Sequence, residues 1–207
     1  MGLLPLLVLG LIWTLLAAPV IQQSRLHTQE NFDLEQFMGR WYEVAVVSTC
    51  PHYMQRKKEN PVIVTLDLKY VLSQGNFTMT SSSFRNGLCK ETSTDYHLTN
   101  TSGQFFHHVT RFGADVDTFV VQFTNEHAML LQLGTEKPSG IKTTTGKLYS
   151  RTMTANPSVL DQFKAVVKQY GMSEDGVIIN QPKGECVPGK LVKESPTQLA
   201  AVSHSDA

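Results

Sequence analysis

The stretch Asn31–Val47, with the sequence NFDLEQFMGRWYEVAVV, decides how the rest of the chain is interpreted. The apolar side chains before Gly39 recur at nearly helical spacing, which predicts one apolar helical turn. Gly39 then allows a sharp bend without a clash at Cβ. The aromatic and β-branched residues that follow predict a strand beginning at Trp41. A tryptophan at the start of a strand, directly after a helical plug, suits the closed end of a β-barrel; the alternative is an ordinary first strand with a buried tryptophan.

The composition limits the classes of partner. The chain has 207 residues, with 18 basic and 18 acidic side chains and a formal net charge of zero. This length favours one domain of ordinary size with additional terminal segments. The balanced charge provides no basic footprint for nucleic acid. We therefore expect a partner to be recognised through a pocket or a local patch.

The two ends of the chain are predicted to lie outside the folded domain. Residues 1–18 form an uncharged, leucine-rich run that ends in small residues, as in a secretory signal peptide. A membrane anchor needs about 20 apolar residues, and the polar stretch Gln22–Arg25 ends the run too early. We expect a flexible segment at 19–30, a folded domain at 31–189 and a disordered tail at 190–207. The mature chain is thus predicted to be secreted, without a transmembrane segment.

Secretion affects how the three cysteines are interpreted, because two of them are expected to pair in an oxidising compartment. They are Cys50, Cys89 and Cys186, and the sequence alone allows three pairings. A Cys89–Cys186 bond would close a long loop, worth roughly 4–5 kcal/mol on the chain-entropy model, and would leave Cys50 free. In a secreted chain, Asn76 and Asn100 are also predicted glycosylation sites.

After Val62 the chain is predicted to form strand after strand with turn residues between them. The predicted strands are 62–70, 76–84, 88–99, 104–111, 118–124, 128–133 and 147–152. With the strand at Trp41 there are about eight and no intervening helix, which predicts a sandwich or a barrel. Consecutive hairpins favour an all-β fold in the form of an eight-stranded antiparallel up-and-down β-barrel. One α-helix, capped by Asn156, begun by Pro157 and ended by Gly171, is expected to pack outside it.

These features together resemble the lipocalin family. Gly39-x-Trp41 precedes the first strand, Thr124-Asn125-Glu126 lies at the place of the second family signature, and Arg151 follows the last barrel strand. The resemblance implies that Arg151 stacks on Trp41 as a cation–π pair worth roughly 0.5–2 kcal/mol.

The resemblance covers roughly residues 31–189 and narrows to lipocalins with an unpaired cysteine at the barrel mouth. It is carried by Ser48–Pro51, Lys147–Tyr149 and Gly184–Gly189. It implies that Cys50 is unpaired and that Cys89 is bonded to Cys186. It also implies binding of haem or chromophores, and a reductase or radical-scavenging activity in which lysines activate the thiol.

Two departures from these relatives change the expectation. Cys50 and Lys147 stand at matching places, but Val109 and the stretch around Gly134 lack the other two lysines, so Cys50 should be less activated. Such relatives also derive from a precursor with a protease-inhibitor module. The residues after Gly189 are too few for such a module and contain no cysteine, so we expect no antiprotease function.

The predicted pocket has apolar and aromatic side chains that suit varied flat ligands. The candidates are Phe77, Met79, Phe105, Phe119 and Met129, of which half are expected to face the outer helix or the core. Adjacent His107 and His108 should face opposite sides of a strand, so one could ligate haem iron; the alternative is a hydrogen-bonded histidine. We recognise no other metal-ligand spacing.

Cys50 and Lys147 are expected to share the open end of the barrel. Cys50 follows the first strand, in a predicted loop, and Lys147 begins the antiparallel last strand near the same end. The sequence thus predicts a secreted carrier or scavenger of small hydrophobic ligands, either haem, retinoid-like or chromophore compounds, with no obligatory cofactor. The alternatives are a thiol-dependent reductase and a protein disulfide-linked to a larger plasma partner through Cys50. The prostaglandin-metabolising lipocalin enzyme has a cysteine within the strand that here spans 62–70, and this chain has none there.

Overall fold

The computed structural model describes residues 26–71, 75–184 and 186–188. The predicted signal peptide at 1–18 and the predicted tail at 190–207 lie outside the described residues, as does part of the segment 19–30. Near the start of the described chain, Gln29 is attached to the sheet, because its amide donates to the carbonyl of Val120 over 2.8 Å. No helix in the described ranges is both long and apolar enough to cross a membrane.

Eight antiparallel strands form a closed barrel in which each strand pairs with the next and β1 pairs with both β8 and β2. The strands are β1 (Gly39–Ser48), β2 (Val64–Val71), β3 (Asn76–Arg85), β4 (Leu88–Leu98), β5 (Gln104–Val109), β6 (Ala114–Phe123), β7 (His127–Glu136) and β8 (Lys142–Ser150). A short ninth strand, β9 (Ile178–Ile179), pairs with β1 at Ala45 and Val46, beyond the residues of β1 that pair with β2. The predicted eight-stranded up-and-down barrel is confirmed.

Within the described residues, three α-helices accompany the strands: α1 (Leu34–Phe37), α2 (Pro51–Glu59) and α3 (Pro157–Gln169). Helix α3 begins as predicted, since the Asn156 side chain accepts a hydrogen bond from the Ser158 amide. Helix α2 contradicts the prediction of a loop after Cys50 and of no helix between the strands. It is polar on most of its surface, and Met54 is its buried residue, so no apolar stripe signals it.

Two strands begin earlier than predicted. β6 starts at Ala114 rather than 118, and β8 at Lys142 rather than 147. The added residues are mostly polar and pair by their backbones, as Asp115 does with Thr135 and Thr143 with Gly134. Because backbone pairing continues past the apolar core, hydrophobic patterning alone does not reveal these strand ends.

Helix α1 closes one end of the barrel. Asp33 caps it by accepting from the amides of Glu35 and Gln36. Phe37, the last residue of the helix, is 1% exposed, and its carbonyl accepts a 2.7 Å hydrogen bond from Nε1 of Trp41. Gly39 connects the helix to β1 with φ of +89°, a left-handed conformation that favours glycine.

Arg151 fastens this closed end from outside. Its guanidinium carbon lies 3.6 Å from the centre of the Trp41 ring, as the family resemblance implied. Nη1 donates to the carbonyl of Arg40 over 2.7 Å, and Nη2 donates to the carbonyls of Gln36 and Met38 over 2.6 and 3.0 Å. Nε donates to the carbonyl of Asn125, in the turn at the second signature, over 3.4 Å. One side chain therefore joins α1, β1, the β6–β7 turn and the end of β8.

Two apolar clusters lie on opposite faces of the sheet. The inner cluster fills the barrel above α1 and is rich in aromatic rings, including Phe32, Phe37, Trp41, Phe77, Phe105 and Phe123. The outer cluster packs Phe163 and Val167 of α3 against Met129, Leu131 and Leu148 of the barrel wall. Helix α3 thus covers the outside of the barrel, as predicted.

The opposite, open end is bridged by buried ion pairs. Glu43 of β1 is 3% exposed, and its two carboxylate oxygens lie 2.7 Å from Nζ of Lys57 and 3.2 Å from Nζ of Lys147. Burial alone would raise the pKa of Glu43, but the two ammonium groups outweigh it and hold that pKa at about 2. Lys57 belongs to α2, so this cluster attaches α2 to the mouth of the barrel.

A disulfide joins Cys89, at the start of β4, to Cys186, after β9. Cys50 is the free cysteine of the three, all of which are described. The bond closes a loop that contains most of the barrel and α3, so it restricts the unfolded chain strongly.

We expect Trp41→Ala to lower the free energy of unfolding by about 3–5 kcal/mol, because a fully buried ring is removed. Arg151→Ala should cost less, about 1–3 kcal/mol, and Arg151→Lys should recover little of it because an ammonium cannot span the same carbonyls. Urea unfolding measures all three. Ligand affinity, corrected for the folded fraction, should stay unchanged in these variants. If this corrected affinity falls by as much free energy as the stability does, both residues belong to the ligand site.

Glu43→Gln should lower the free energy of unfolding at pH 7 by about 3–5 kcal/mol, because Lys57 and Lys147 keep buried, uncompensated charge. The pKa of Glu43 falls from 4.5 to about 2 on folding, so its stabilisation is complete above pH 4.5 and is lost as the pH falls towards 2. The stability gap between wild type and Glu43→Gln should therefore narrow between pH 7 and about pH 3 in urea unfolding.

The matched control is Asp67→Asn, which breaks a solvent-exposed pair with Arg40 whose N–O distance is 2.9 Å. It should cost less than about 1 kcal/mol. The buried ion cluster would be contradicted by either of two results. One is a loss in free energy of unfolding for Glu43→Gln that is no larger than the loss for Asp67→Asn. The other is a loss for Glu43→Gln that does not change with pH.

Candidate functional site

The lower interior of the barrel is filled by its own side chains. A cavity of about 10 Å³ remains, about the volume that one water molecule occupies. Three predicted pocket residues line it, Phe77, Met79 and Phe105, together with polar Thr118 and Gln132. In this conformation the deep interior is a packed core with no room for a second ring system.

The other two pocket candidates, Met129 and Phe119, lie on the outer face, which was expected of about half of the set. Met129 belongs to the outer cluster under α3, because its neighbour Leu130 takes the inward position of β7. Phe119 is likewise excluded from the inner face by Thr118, whose hydroxyl accepts a 3.0 Å hydrogen bond from the Gln132 side chain inside the barrel. Leu130 and Thr118 therefore point into the barrel, and Met129 and Phe119 point outward.

His107 and His108 lie on opposite faces of β5. His108 is exposed, and its Nδ1 lies 2.8 Å from the carboxylate of Asp115. His107 is 6% exposed, its ring centre lies 4.4 Å from that of Tyr96, and its Nδ1 has no hydrogen-bond partner among the described residues. Burial, and then the charge of Lys147, lower the pKa of His107 to about 4, so its imidazole is neutral at pH 7. A neutral, unpartnered imidazole nitrogen is available to a ligand that reaches this layer.

The large concave site lies at the mouth of the barrel. A cleft of about 640 Å³, here called the mouth cleft, separates α2 from the β3–β4 hairpin. Its lining residues are Tyr53, Arg56, Lys57, Glu59, Asn60, Val62, Val64, Ser83, Phe84, Arg85, Asn86, Gly87, Lys90 and Arg111. The side-chain amide of Asn60 donates to the carbonyl of Phe84 over 2.9 Å and so fixes the two walls relative to each other.

Cys50 and Lys147 both lie towards the open end, but their functional groups have different neighbours. Cys50 is partly exposed and precedes α2 as its N-cap residue. Lys147 is directed at Glu43, and the described hydrogen bonds and ion pairs include none that joins it to Cys50. Burial opposes the charge on Lys147, yet Tyr149 and Glu43 raise its pKa well above the usual value, so it is an ammonium ion. A ligand site shared by the two residues stays a prediction.

The family resemblance implies pocket lysines at two positions where this chain has Val109 and Gly134. Both positions face the inside of the barrel. Val109 continues the inward row of Phe105 and His107 on β5, and Gly134 continues that of Gln132 on β7. A Cβ at Gly134 would lie 2.7 Å from Oγ1 of Thr143, so any side chain there requires Thr143 to move. Positive charge at the mouth is instead contributed by other strands.

Sequence patterns did not identify Glu43 or the mouth cleft. Glu43 does carry a signal, since it is a charged residue at an inward position of the apolar stretch Trp41–Val47. The cleft carries none, because its residues come from α2, the β3–β4 hairpin and the β5–β6 turn. Of the predicted glycosylation sites, Asn100 is exposed and Asn76 is half-buried, and their modification stays a prediction.

Comparison with known sequences shows which proteins this chain is similar to. Protein AMBP of Pleuronectes platessa is 44% identical over 197 residues, which are 95% of this chain and 55% of that protein. Protein AMBP of Mus musculus is 34% identical over 89% of this chain and 52% of its own length. AMBP is the alpha-1-microglobulin/bikunin precursor, so the chain resembles the alpha-1-microglobulin part and spans about half the length of these relatives.

Other matches cover whole lipocalins. Prostaglandin-H2 D-isomerase of Felis catus is 27% identical over 90% of this chain and 94% of that protein. The solved structure of siderocalin Ex-FABP, described as functioning through dual ligand specificities, superposes with a TM-score of 0.60 at 16% identity, over 73% of this chain and 97% of that one. That likeness concerns the fold alone. The model of the lipocalin / cytosolic fatty-acid binding protein family matches residues 38–184, and the chain therefore belongs to the lipocalin family, whose members bind small hydrophobic ligands.

Proposed function

We propose that this chain is a secreted carrier or scavenger of small hydrophobic ligands, which it binds at the open end of the barrel. The observation that carries the proposal is the mouth cleft of about 640 Å³ on a barrel whose other end is closed by α1 and Arg151. Ligand pockets are concave sites of about 300–1,000 Å³, so the cleft has the size required. Membership of the lipocalin family supports the same function.

Haem is the first candidate ligand, with retinoid-like and chromophore compounds after it. Val62, Val64 and the aromatic residue Tyr53 line the cleft and suit a flat, largely apolar molecule. His107 is not among the lining residues of the cleft, so it would ligate the iron of a haem that extends from the cleft into the interior, where its Nδ1 is neutral and unpartnered among the described side chains. Ligation would require movement of the interior side chains, since the cavity near Phe105 holds only about 10 Å³.

Cys50 and Lys147 are not among the residues that line the mouth cleft, so they enter this proposal as rim residues that a ligand would reach only if it extends beyond the cleft. The partial exposure of Cys50 leaves its thiol accessible to a ligand or to a reagent. Lys147 pairs with Glu43, so the thiol-dependent reductase, which needs a cation near Cys50, has less support than the carrier. A disulfide-linked partner requires only an accessible thiol, and non-reducing gels of native protein separate it from the carrier by its high-mass band.

The test is a haem titration followed by visible absorption, on wild type, Cys50→Ser and Lys147→Met. We expect haem to bind wild type and to protect Cys50 from a thiol-labelling reagent. Each variant should bind about two- to tenfold more weakly, the effect of losing one polar contact. Lys142→Met, which alters an exposed lysine of the same strand, is the control and should bind like wild type.

His107→Phe adds a spectroscopic readout, because loss of an iron ligand changes the haem absorption bands whatever its effect on affinity. Near-UV circular dichroism confirms that each variant is folded. Unchanged labelling of Cys50 together with unchanged affinity in both variants would remove Cys50 and Lys147 from the site. Absence of any binding by wild type would reject haem as a ligand.

A further inference from the structure

We propose that the mouth cleft selects anionic amphiphiles, ligands that join an apolar body to a carboxylate or sulfonate group. The inference rests on the proposed carrier function and specifies the ligand class of the same site. It follows from three properties of the cleft: where its cations come from, how few of them are neutralised, and what lies between them.

The cations reach the cleft from four separate elements. Arg56 comes from α2, Arg85 from the end of β3, Lys90 from β4 and Arg111 from the turn after β5. Arg85 continues the inward row of Phe77 and Met79. Lys90 similarly continues the inward row of Tyr96, so both strands carry positive charge to the lumen side of the rim.

These four cations have no carboxylate within 4.0 Å among the described residues. Other cations of the described chain do have such partners, among them Arg40 with Asp67, Lys137 with Asp115 and Lys168 with Glu174. Further unpaired cations within the described ranges, among them Lys69 and Lys164, lie outside the cleft, so the feature specific to the cleft is that four of them meet at one concave place. A cleft with low-dielectric walls focuses such a field and attracts an anion.

The remaining charged residues of the cleft do not cancel this field. Lys57 and Lys147 share the single carboxylate of Glu43, so this cluster does not offset the positive charge of the cleft. Glu59 is the acidic residue in the lining, and its Oε1 already accepts a 2.9 Å hydrogen bond from Gln55. One exposed carboxylate faces four unpaired cations, so the cleft stays net positive.

Apolar surface lies between the cations. Val62 and Val64 form part of the lining, and Val64 packs against the inner cluster, with Tyr53 beside them. The walls are held by the Asn60–Phe84 hydrogen bond and by the Lys57–Glu43 ion pair, so the ligand need not order them on binding. The combination of an apolar floor and a cationic rim fits a molecule with an apolar body and an acidic group at its edge.

The test compares two fluorescent probes that differ in charge. 1-Anilinonaphthalene-8-sulfonate carries a sulfonate, and N-phenyl-1-naphthylamine has the same aromatic body without it. Wild type should bind the sulfonate more tightly, and this preference should shrink as salt is raised. Arg85→Gln/Lys90→Gln should weaken binding of the sulfonate about three- to tenfold and leave the neutral probe nearly unchanged.

The control is Lys69→Gln/Lys164→Gln, which removes two lysines outside the cleft that have no ion-pair partner among the described residues. It should bind both probes like wild type, and near-UV circular dichroism should show that both double variants are native, since partly unfolded protein also binds the sulfonate. Equal affinity of wild type for the two probes, or equal losses in the cleft variant and the control, would overturn the inference and leave the carrier function standing. If wild type binds neither probe and no haem, the carrier function fails with it.

Discussion

The guanidinium of Arg151 holds helix α1 across the closed end of the barrel, and this contact determines which end stays open. The guanidinium stacks on Trp41 at 3.6 Å and donates to main-chain carbonyls of α1, β1 and the β6–β7 turn. A planar group with donors in fixed directions can serve several carbonyls at once, which an ammonium cannot. Because α1 is held across this end, the opposite end is where a ligand can enter.

The open end is organised by charge rather than by apolar packing. Helix α2 has one buried apolar residue, Met54, and its attachment to the barrel includes the buried contact of Lys57 with Glu43. Buried ion pairs of this kind add modest net stability but penalise the loss of a single partner strongly. They therefore fix where α2 lies, and with it the width of the mouth cleft between α2 and the β3–β4 hairpin. The carrier function and the proposed selectivity for anions both depend on this placement.

The sequence predicts the closed end better than the open end. Gly39, Trp41 and Arg151 are recognisable because a left-handed bend, a buried ring and a cation each restrict the residue type at one position. The strands follow from turn chemistry and alternation, but alternation does not tell which row faces inward, so it could not say which pocket candidates, such as Phe119 and Met129, would lie on the outer face. Helix α2 and the mouth cleft could not be predicted. Their residues are polar, come from distant segments and acquire meaning only when the barrel brings them together.

We place the ligand at the mouth, between α2 and the β3–β4 hairpin, and not at the closed end. Nuclear magnetic resonance on ¹⁵N-labelled protein tests this placement directly, by mapping the amide shifts that anilinonaphthalene sulfonate causes. We expect the shifts to concentrate in α2 and around Asn86 and Arg111, with the amides of α1 and Arg151 unmoved. Shifts concentrated in α1 and at Arg151, with α2 unaffected, would contradict the placement at the mouth.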